Sequence, residues 1–349
     1  MGCVFDKLRS NDSTSGFSKE YSWDRRVDVD VKNYILEEIT EGEKWKLPGS
    51  INGQQFVIRN CRNASIFIFD YMDTVTIDDC KNCKIIMGPV KGSVFLRDCK
   101  ECVCVVACGQ FRTRDCRKLD IFLCCATQPI IESSTSMHFG CYQLYYEGIE
   151  GQFCDAGLSV FNNEWSSIHD FTPFDGDVNW CLLPDTIRIE DYVSLPVSDE
   201  LRNLNMSLRA EKSTVPHTWG PHKVPVGQVC LVSFFCDDQQ LQRVKAFINK
   251  LKLKNPDCLL RLSKQRWLTA RDAETIFKTS LYTNAVQCGP VIGLQYCGPG
   301  CIGSCLEVSK IISSVGRDID MIYVSTNALR SSQECQSFFN SSYTTVCVP

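Results

Sequence analysis

The chain has 349 residues, with 37 Lys and Arg against 41 Asp and Glu, and its formal net charge is −4. This balance argues against binding to nucleic-acid backbones, which requires a basic excess, and no stretch approaches the roughly 18 consecutive apolar residues of a membrane-spanning helix. The length predicts two domains, and 23 cysteines without an N-terminal export signal favour reduced, buried thiols over a disulfide scaffold.

The N-terminal residues 1–20 are predicted to form a flexible, lipid-anchored tether. Gly2 and Cys3 directly follow Met1, an arrangement that fits myristoylation of the glycine and palmitoylation of the cysteine. Two acyl chains together give stable membrane attachment, whereas one chain does not. Asp6 departs from the Ser or Thr that the myristoylation motif prefers at that position.

A cysteine-marked repeat occupies the next part of the chain. Cys61, Cys80, Cys99 and Cys116 are separated by 19, 19 and 17 residues, and apolar residues alternate with others on both sides of each cysteine. This pattern predicts two short strands per repeat, joined at a corner near the cysteine and sharing one apolar face. A unit of this size cannot bury that face alone, so the repeats must stack. We therefore expect a right-handed parallel β-helix, or β-solenoid, within residues 21–195.

The pairs Cys80–Cys83 and Cys99–Cys102 have the CxxC spacing found in zinc sites. The second cysteine of each pair falls, however, on an inward ladder position that other repeats fill with Ala64 and Leu119. Thiols are compact and apolar enough to pack in such ladders without a strong hydrogen-bond partner. The pairs are therefore interpreted as core residues, and no metal site is expected.

Outward positions of the fourth repeat carry polar side chains on one strand. Gln110, Arg112 and Arg114 alternate with inward residues and should project from one face, about 7 Å apart. If the next repeat also has about 18 residues, Glu132 lies beside Arg114 on the neighbouring strand. The spacing alone leaves two interpretations open: a solvated face, or a rigid platform whose guanidinium stabilises the charge of a transferring phosphoryl group.

The segments GPVKGSVFLRDC (88–99) and CGQFRTRDCRKLDIFLCCATQPIIESS (108–134) resemble the tubulin-binding cofactor C family. The similarity extends from YSWD (21–24) through FNNEWSSIHDFTPF (161–174), and the second half of the chain fits the same branch of the family. That branch consists of GTPase-activating proteins for an Arf-like small GTPase of the Arl-three type. The resemblance implies a β-helix that supplies an arginine finger in trans to a bound GTPase, and double acylation at Gly2 and Cys3.

The family's Gln-x-Arg motif falls on Gln110 and Arg112. The resemblance thus implies that Arg112 is the finger and that Gln110 is its neighbour in the catalytic site. Gly109 departs from the family pattern, in which a second Gln is expected before Gln110.

The GTPase interface implied by the resemblance includes an acidic residue at Glu132 and an Asp-Phe pair at Asp170 and Phe171. Arg114 is assigned to the same interface because it projects beside Arg112. Without the resemblance, two interpretations of Phe171 are equally good: it packs in the core, or it anchors an interface with a partner.

The second half of the chain lacks the cysteine-marked repeat and has a different order of predicted elements. Residues 196–227 are polar and then Pro- and Gly-rich, which predicts a partly helical linker. Beyond it, buried strands alternate with amphipathic helices through residues 228–349, which predicts an α/β domain of ferredoxin-like type. The resemblance implies the nucleoside diphosphate kinase fold there. That kinase requires a histidine nucleophile, and the last of the chain's four histidines is His222, so no kinase activity is expected.

The sequence thus predicts an activator that completes a partner's active site and is not itself an enzyme. No GxxxxGK[ST] loop is present to bind nucleotide phosphates, so GTP and Mg²⁺ belong to the partner GTPase and no cofactor is expected. The family implies a lipid-anchored location at the cytoplasmic face of the plasma membrane and at the cilium or basal body, with a role in transport of lipidated proteins. The alternative is a non-catalytic scaffold or tubulin-folding adaptor that binds the GTPase without accelerating hydrolysis.

Overall fold

The structure, a computed structural model, describes residues 31–173, 178–184, 186–221, 227–313 and 321–339. The strands of this part of the chain are β1 (Ile35–Glu37), β2 (Thr40–Lys46), β3 (Phe56–Arg59), β4 (Arg62–Ile68), β5 (Val75–Asp78), β6 (Lys84–Met87), β7 (Val90–Arg97), β8 (Val103–Arg114), β9 (Arg117–Cys125), β10 (Ile130–Glu132), β11 (Thr135–Cys141), β12 (His169–Asp170), β13 (Trp180–Leu182), β14 (Gln228–Phe234), β15 (Leu259–Arg266), β16 (Val291–Gly298) and β17 (Ile322–Val324). The α-helices are α1 (Ile149–Asp155), α2 (Gln240–Lys254), α3 (Ala270–Phe277), α4 (Cys301–Ser313) and α5 (Ala328–Phe339).

The first thirteen strands stack into a parallel solenoid with two walls, which confirms the predicted β-solenoid. Wall A contains β1, β3, β5, β7, the second half of β8, β10 and β12, and wall B contains β2, β4, β6, the first half of β8, β9, β11 and β13. Strand β8 belongs to both walls because it runs through the corner between them without a break. At this corner residues 107–110 replace the longer connection formed by residues 88–93 one turn earlier.

The opposite corner of each turn is made by two residues with left-handed backbone. Around Cys99 these are Asp98, with φ 54°, and Glu101, with φ 56°. The equivalent positions in other turns are mostly Asn, Asp or Ser, and Asn and Asp tolerate this conformation better than most residues. The same two positions have positive φ around Ile39 in the first turn, where no cysteine marks the repeat.

The corner cysteines donate hydrogen bonds in addition to filling the core. The Cys99 thiol donates to the carbonyl of Arg97 at 3.2 Å. The same bond, from the cysteine to the carbonyl two residues earlier, is made by Cys61, Cys80 and Cys116. Ser134 takes this position in the next turn, where its Oγ donates to the Glu132 carbonyl at 2.8 Å. The corner thiols thus pack in the core as the sequence predicts, and their weak S–H donors also satisfy corner carbonyls.

The two outer faces of the solenoid differ in how they are covered. Aromatic residues on the outer face of wall B, including Phe67, Phe122 and Tyr142, are buried against α1 and the segment 183–215. The outer residues of wall A are exposed or half-buried along β3, β5, β7, β8 and β10. Wall A therefore presents the open face of the solenoid.

The C-terminal unit is a four-stranded antiparallel sheet with the order β15-β16-β14-β17. Helices α2 and α4 follow β14 and β16 and pack on one face of the sheet, whereas α3 and α5 pack on the other. A βαββαβ chain with this strand order is the ferredoxin-like arrangement, which confirms the predicted α/β class of this domain.

The described part of the segment between the two units, residues 196–221, is packed rather than extended. Leu201, Leu204, Leu208 and Val215 are buried in the cluster that covers wall B. Its end reaches the C-terminal sheet, where the Trp219 amide donates to the Leu260 carbonyl at 2.9 Å. The segment predicted as a linker thus also forms part of the solenoid's outer layer. Among the described residues, no helix is long and apolar enough to span a membrane.

Candidate functional site

Strand β8 presents three polar side chains on the open face of wall A. Gln110, Arg112 and Arg114 are exposed, while Phe111 and Thr113 between them are 0% and 2% exposed and point into the core. This part of β8 is hydrogen-bonded to β7, and its final residues are also bonded to β10. A backbone that is paired in this way holds its outward side chains on a stiff platform.

Arg112 is the exposed cation at the centre of this platform. Its neighbours in register are Phe95 on β7 and Ile130 on β10, both half-buried and uncharged. Across the described ranges the Arg112 guanidinium makes no hydrogen bond and no ion pair. Its five N–H donors are therefore available to an anion that approaches from outside the chain.

Gln110 lies two residues before Arg112 and is held by the preceding turn. The Ser93 hydroxyl donates to Gln110 Oε1 at 3.2 Å. Gly109 faces an irregularity in β7, where an added Cβ would lie 2.6 Å from the Lys91 carbonyl oxygen and 2.9 Å from that of Gly92. A side chain at position 109 would therefore clash with the backbone, so this close approach requires the glycine found where the resemblance led us to expect a second Gln.

Glu132 lies in register with Arg114, as the repeat length predicted. The two side chains do not form an ion pair, because Arg114 Nε donates to Asp115 Oδ2 at 3.2 Å. The Arg114 side chain remains 64% exposed, and Glu132 is exposed beside it. Both groups are thus available for contacts with a partner.

Other arginines on the same face of wall A are paired across strands. Arg97 donates to both carboxylate oxygens of Asp78, at 2.8 and 2.9 Å, and Arg59 pairs with Glu37 at 2.6 Å. These arginines have an acidic residue at the equivalent position of the preceding strand, whereas Arg112 has Phe95 there. Arg112 is therefore unpaired because the residue beside it on the preceding strand is not acidic.

Asp170 and Phe171, at the end of wall A, have different surroundings. Phe171 is 59% exposed, and its ring contacts that of His169 edge-on at a centroid distance of 4.6 Å. Asp170 accepts hydrogen bonds from the Thr172 amide at 2.9 Å and from Asn179 Nδ2 at 2.8 Å. Exposure of Phe171 contradicts its core-packing interpretation, and Asp170 positions the chain that carries Phe171. Asn179 is buried, and no motif in the sequence marks it.

The remaining candidate residues are separate from this platform. Gly2 and Cys3 lie outside the described residues. The CxxC pairs of the solenoid are buried, and in the described part of the chain the one group of three thiols that could hold a metal is Cys230, Cys301 and Cys305 in the C-terminal domain. The interpretation of the CxxC pairs as core residues agrees with this arrangement.

Comparisons with known proteins cover both units. The family described as Tubulin binding cofactor C matches residues 53–171. This range includes the candidate residues of wall A, which are Gln110, Arg112, Arg114, Glu132, Asp170 and Phe171. Protein XRP2 of Gallus gallus is 45% identical over 355 residues, which cover 97% of this chain and 98% of that protein. Protein XRP2 of Homo sapiens is 45% identical over 349 residues, with the same coverage. Tubulin-folding cofactor C of Arabidopsis thaliana is 31% identical over 146 residues, or 41% of this chain and 36% of that protein.

The similarity to the two Protein XRP2 sequences extends through the C-terminal domain, whereas the similarity to the plant cofactor covers less than half of either chain. The family is therefore assigned from the similarity to the Protein XRP2 sequences, which covers nearly the whole chain. The chain belongs to the Protein XRP2 family, and its solenoid contains a tubulin binding cofactor C domain.

Proposed function

We propose that the chain is a GTPase-activating protein that supplies Arg112 in trans to a GTP-bound Arf-like small GTPase of the Arl-three type. The observation that carries this proposal is the exposed, unpaired guanidinium of Arg112 on a stiff strand of the open wall. An activator must deliver its cation to a phosphoryl group in another molecule, and Arg112 is free to do so.

The chemistry follows from where charge develops during phosphoryl transfer. In the transition state, negative charge spreads over the equatorial phosphoryl oxygens, and a pre-positioned guanidinium stabilises it. An arginine supplied in trans increases the rate by a factor of about 10³–10⁵. Gln110, oriented by Ser93, reaches the same region and would position groups of the partner's active site. GTP and Mg²⁺ are held by the GTPase.

The rest of the open face would form the contact with the GTPase. Phe171 supplies an exposed aromatic anchor, and aromatic residues are common where truncation weakens binding most. Arg114 and Glu132 lie beside the platform with opposite charges and would make polar contacts around Arg112. Such contacts contribute orientation and specificity more than affinity.

Membrane attachment through Gly2 and Cys3 is part of the same proposal. Two acyl chains would hold the activator at the cytoplasmic face of the plasma membrane and at the cilium, where its GTPase would function in transport of lipidated proteins. Mass spectrometry of the N-terminal peptide from cells tests this, and an unmodified Gly2 with a free Cys3 thiol would reject it.

A non-catalytic role is the second candidate. The similarity to Tubulin-folding cofactor C favours a scaffold or tubulin-folding adaptor. A scaffold would bind the GTPase without changing its hydrolysis rate, so charge placement at Arg112 would not matter.

Single-turnover GTP hydrolysis by candidate Arf-like GTPases separates the two candidates. Wild type and Arg112→Ala are compared with Arg59→Ala, a matched control on the same wall whose arginine is paired with Glu37. An activator accelerates hydrolysis, loses that acceleration with Arg112→Ala, and keeps it with Arg59→Ala. If the wild-type chain binds the GTP-bound partner and leaves its rate unchanged, the scaffold is correct.

A further inference from the structure

The core of the C-terminal domain contains a compact group of thiols that the GTPase site does not use. The Sγ atoms of Cys230, Cys301 and Cys305 all lie within 4.8 Å of one another, and the three residues are fully buried. Cys230 is on β14, while Cys301 and Cys305 lie four residues apart on α4 and so share one face of that helix. Cys258, 5% exposed just before β15, belongs to the same core cluster.

These thiols differ from the corner cysteines of the solenoid. Each corner thiol donates to a backbone carbonyl, as Cys99 does to Arg97 at 3.2 Å. Cys230 makes only long bonds of this kind, to the Leu231 carbonyl at 3.8 Å and the Ser325 carbonyl at 3.9 Å. Within the described residues, Cys301 and Cys305 have no hydrogen bond to a backbone carbonyl, and they pack against the other thiols of the group. A set of buried thiols that face one another is suited to a shared ligand.

A buried tyrosine provides an independent indication of such a ligand. Tyr296 on β16 is 2% exposed, and its hydroxyl has no hydrogen-bond partner. Tyr296 packs in the same core cluster as the thiols of Cys230, Cys258, Cys301 and Cys305. An unsatisfied buried hydroxyl is unfavourable by about 1–3 kcal/mol, and a thiolate nearby would give it an acceptor.

We propose that this thiol group binds a Zn²⁺ ion through Cys230, Cys301 and Cys305, with Cys258 of the same core cluster supplying the fourth ligand as the site closes on the metal. Four thiolates around Zn²⁺ form a closed structural site, with Zn–S distances of about 2.3 Å and hence sulfur atoms about 3.8 Å apart. Each ligand loses its thiol proton to solvent as the metal enters. The ion would join β14, the start of β15 and α4, and so would stabilise the ferredoxin-like domain.

The test measures metal content in the full chain. The protein is produced in zinc-containing medium and purified without a metal-affinity step, and its metals are measured by inductively coupled plasma mass spectrometry. We expect about one zinc ion per chain, and a loss of about tenfold or more in the double variant Cys301→Ser/Cys305→Ser. Cys335→Ser is the matched control, because Cys335 is buried on the other face of the same sheet.

A second measurement on the unchanged chain applies even if the double variant does not fold. After zinc is removed with a chelator, Co²⁺ is added, and a tetrahedral thiolate site gives intense thiolate-to-cobalt absorption together with an increase in Tm. Wild-type chain that contains no zinc and shows neither cobalt absorption nor a Tm shift overturns the proposal. Zinc that persists in a folded double variant at the wild-type level also overturns it.

Discussion

Arg112 on β8 lies in register with Ile130 on β10, so the strand next to the proposed finger provides no acidic partner. Two residues further along the same strands, Glu132 lies in register with Arg114. Arg97 and Arg59 are held by acidic residues across strands. The availability of Arg112 therefore depends on which residue type stands beside it in the neighbouring strand.

An acidic residue introduced in place of Ile130 should weaken the action of Arg112. In Ile130→Glu the new carboxylate lies beside Arg112 and competes for the guanidinium. Exposed cross-strand ion pairs contribute at most about 1 kcal/mol, so we predict that GTPase stimulation falls by a factor of up to about five. Added salt should restore part of it. The control is Ile130→Gln, which has a similar size without the charge. Equal stimulation by the Glu and Gln variants would contradict this prediction.

Gly109 should be required for the position of the finger strand. Gly109→Ala places a Cβ against the Lys91 and Gly92 carbonyl oxygens, and overpacking of this kind typically destabilises by about 1–3 kcal/mol. We expect a lower midpoint in urea unfolding and weaker GTPase stimulation. Gly151→Ala is the matched control, because a Cβ there, on α1, meets no atom within 4 Å. If Gly109→Ala unfolds at the same urea concentration as wild type, the close approach at this corner is not real.

Substitution of Phe171 should weaken binding to the GTPase, whereas substitution of Asp170 should lower the stability of the fold. Phe171→Ala removes an exposed ring and should weaken binding to the GTP-bound GTPase by about tenfold or more, with an unchanged Tm. Asp170→Ala removes the acceptor of the Thr172 amide and of Asn179 Nδ2, and should destabilise the folded state by about 1–3 kcal/mol. Calorimetry and binding titrations measure both effects. A lowered Tm for Phe171→Ala, or an unchanged one for Asp170→Ala, would show that the roles are assigned wrongly.

The corner thiols should tolerate serine, whereas other buried thiols should not. Cys116 donates to the Arg114 carbonyl, and Ser134 already makes the same bond one turn later. Cys116→Ser should therefore change stability by less than about 1 kcal/mol. Cys104 is fully buried without a carbonyl acceptor among the described residues, so Cys104→Ser should destabilise by about 1–3 kcal/mol. The reverse order of the two unfolding free energies would contradict this role of the corner hydrogen bonds.

The repeat length and the alternation of inward residues were sufficient to predict the solenoid and the position of Glu132 beside Arg114 on the neighbouring strand. These features depend on local spacing, which the sequence displays directly. The first turn was missed because Ile39 stands at the corner where later turns have cysteine, although its flanking residues have the same left-handed backbone. The last turn is separated from the others by α1 and its connections, so its strands β12 and β13 gave no periodic signal.

Features that depend on contacts between distant segments could not be predicted. The group formed by Cys230, Cys301 and Cys305 has no metal-binding spacing, because its members come from a strand and a helix that meet only in the folded domain. That the Arg112 guanidinium is unpaired could not be predicted for the same reason. Its outward direction followed from the alternation along β8, but its lack of an ion pair depends on the side chains of two neighbouring strands.

The most direct test of the proposed function is single-turnover GTP hydrolysis by an Arl-three-type GTPase at a saturating concentration of the chain, for wild type, Arg112→Ala and Arg112→Lys. Saturation removes differences in affinity, so the rates report transition-state stabilisation alone. We predict that wild type accelerates hydrolysis by about 10³–10⁵ and that both variants lose nearly all of this acceleration. Lysine fails because it lacks the planar, forked donor set of arginine. Wild-type rates with Arg112→Ala would contradict the account.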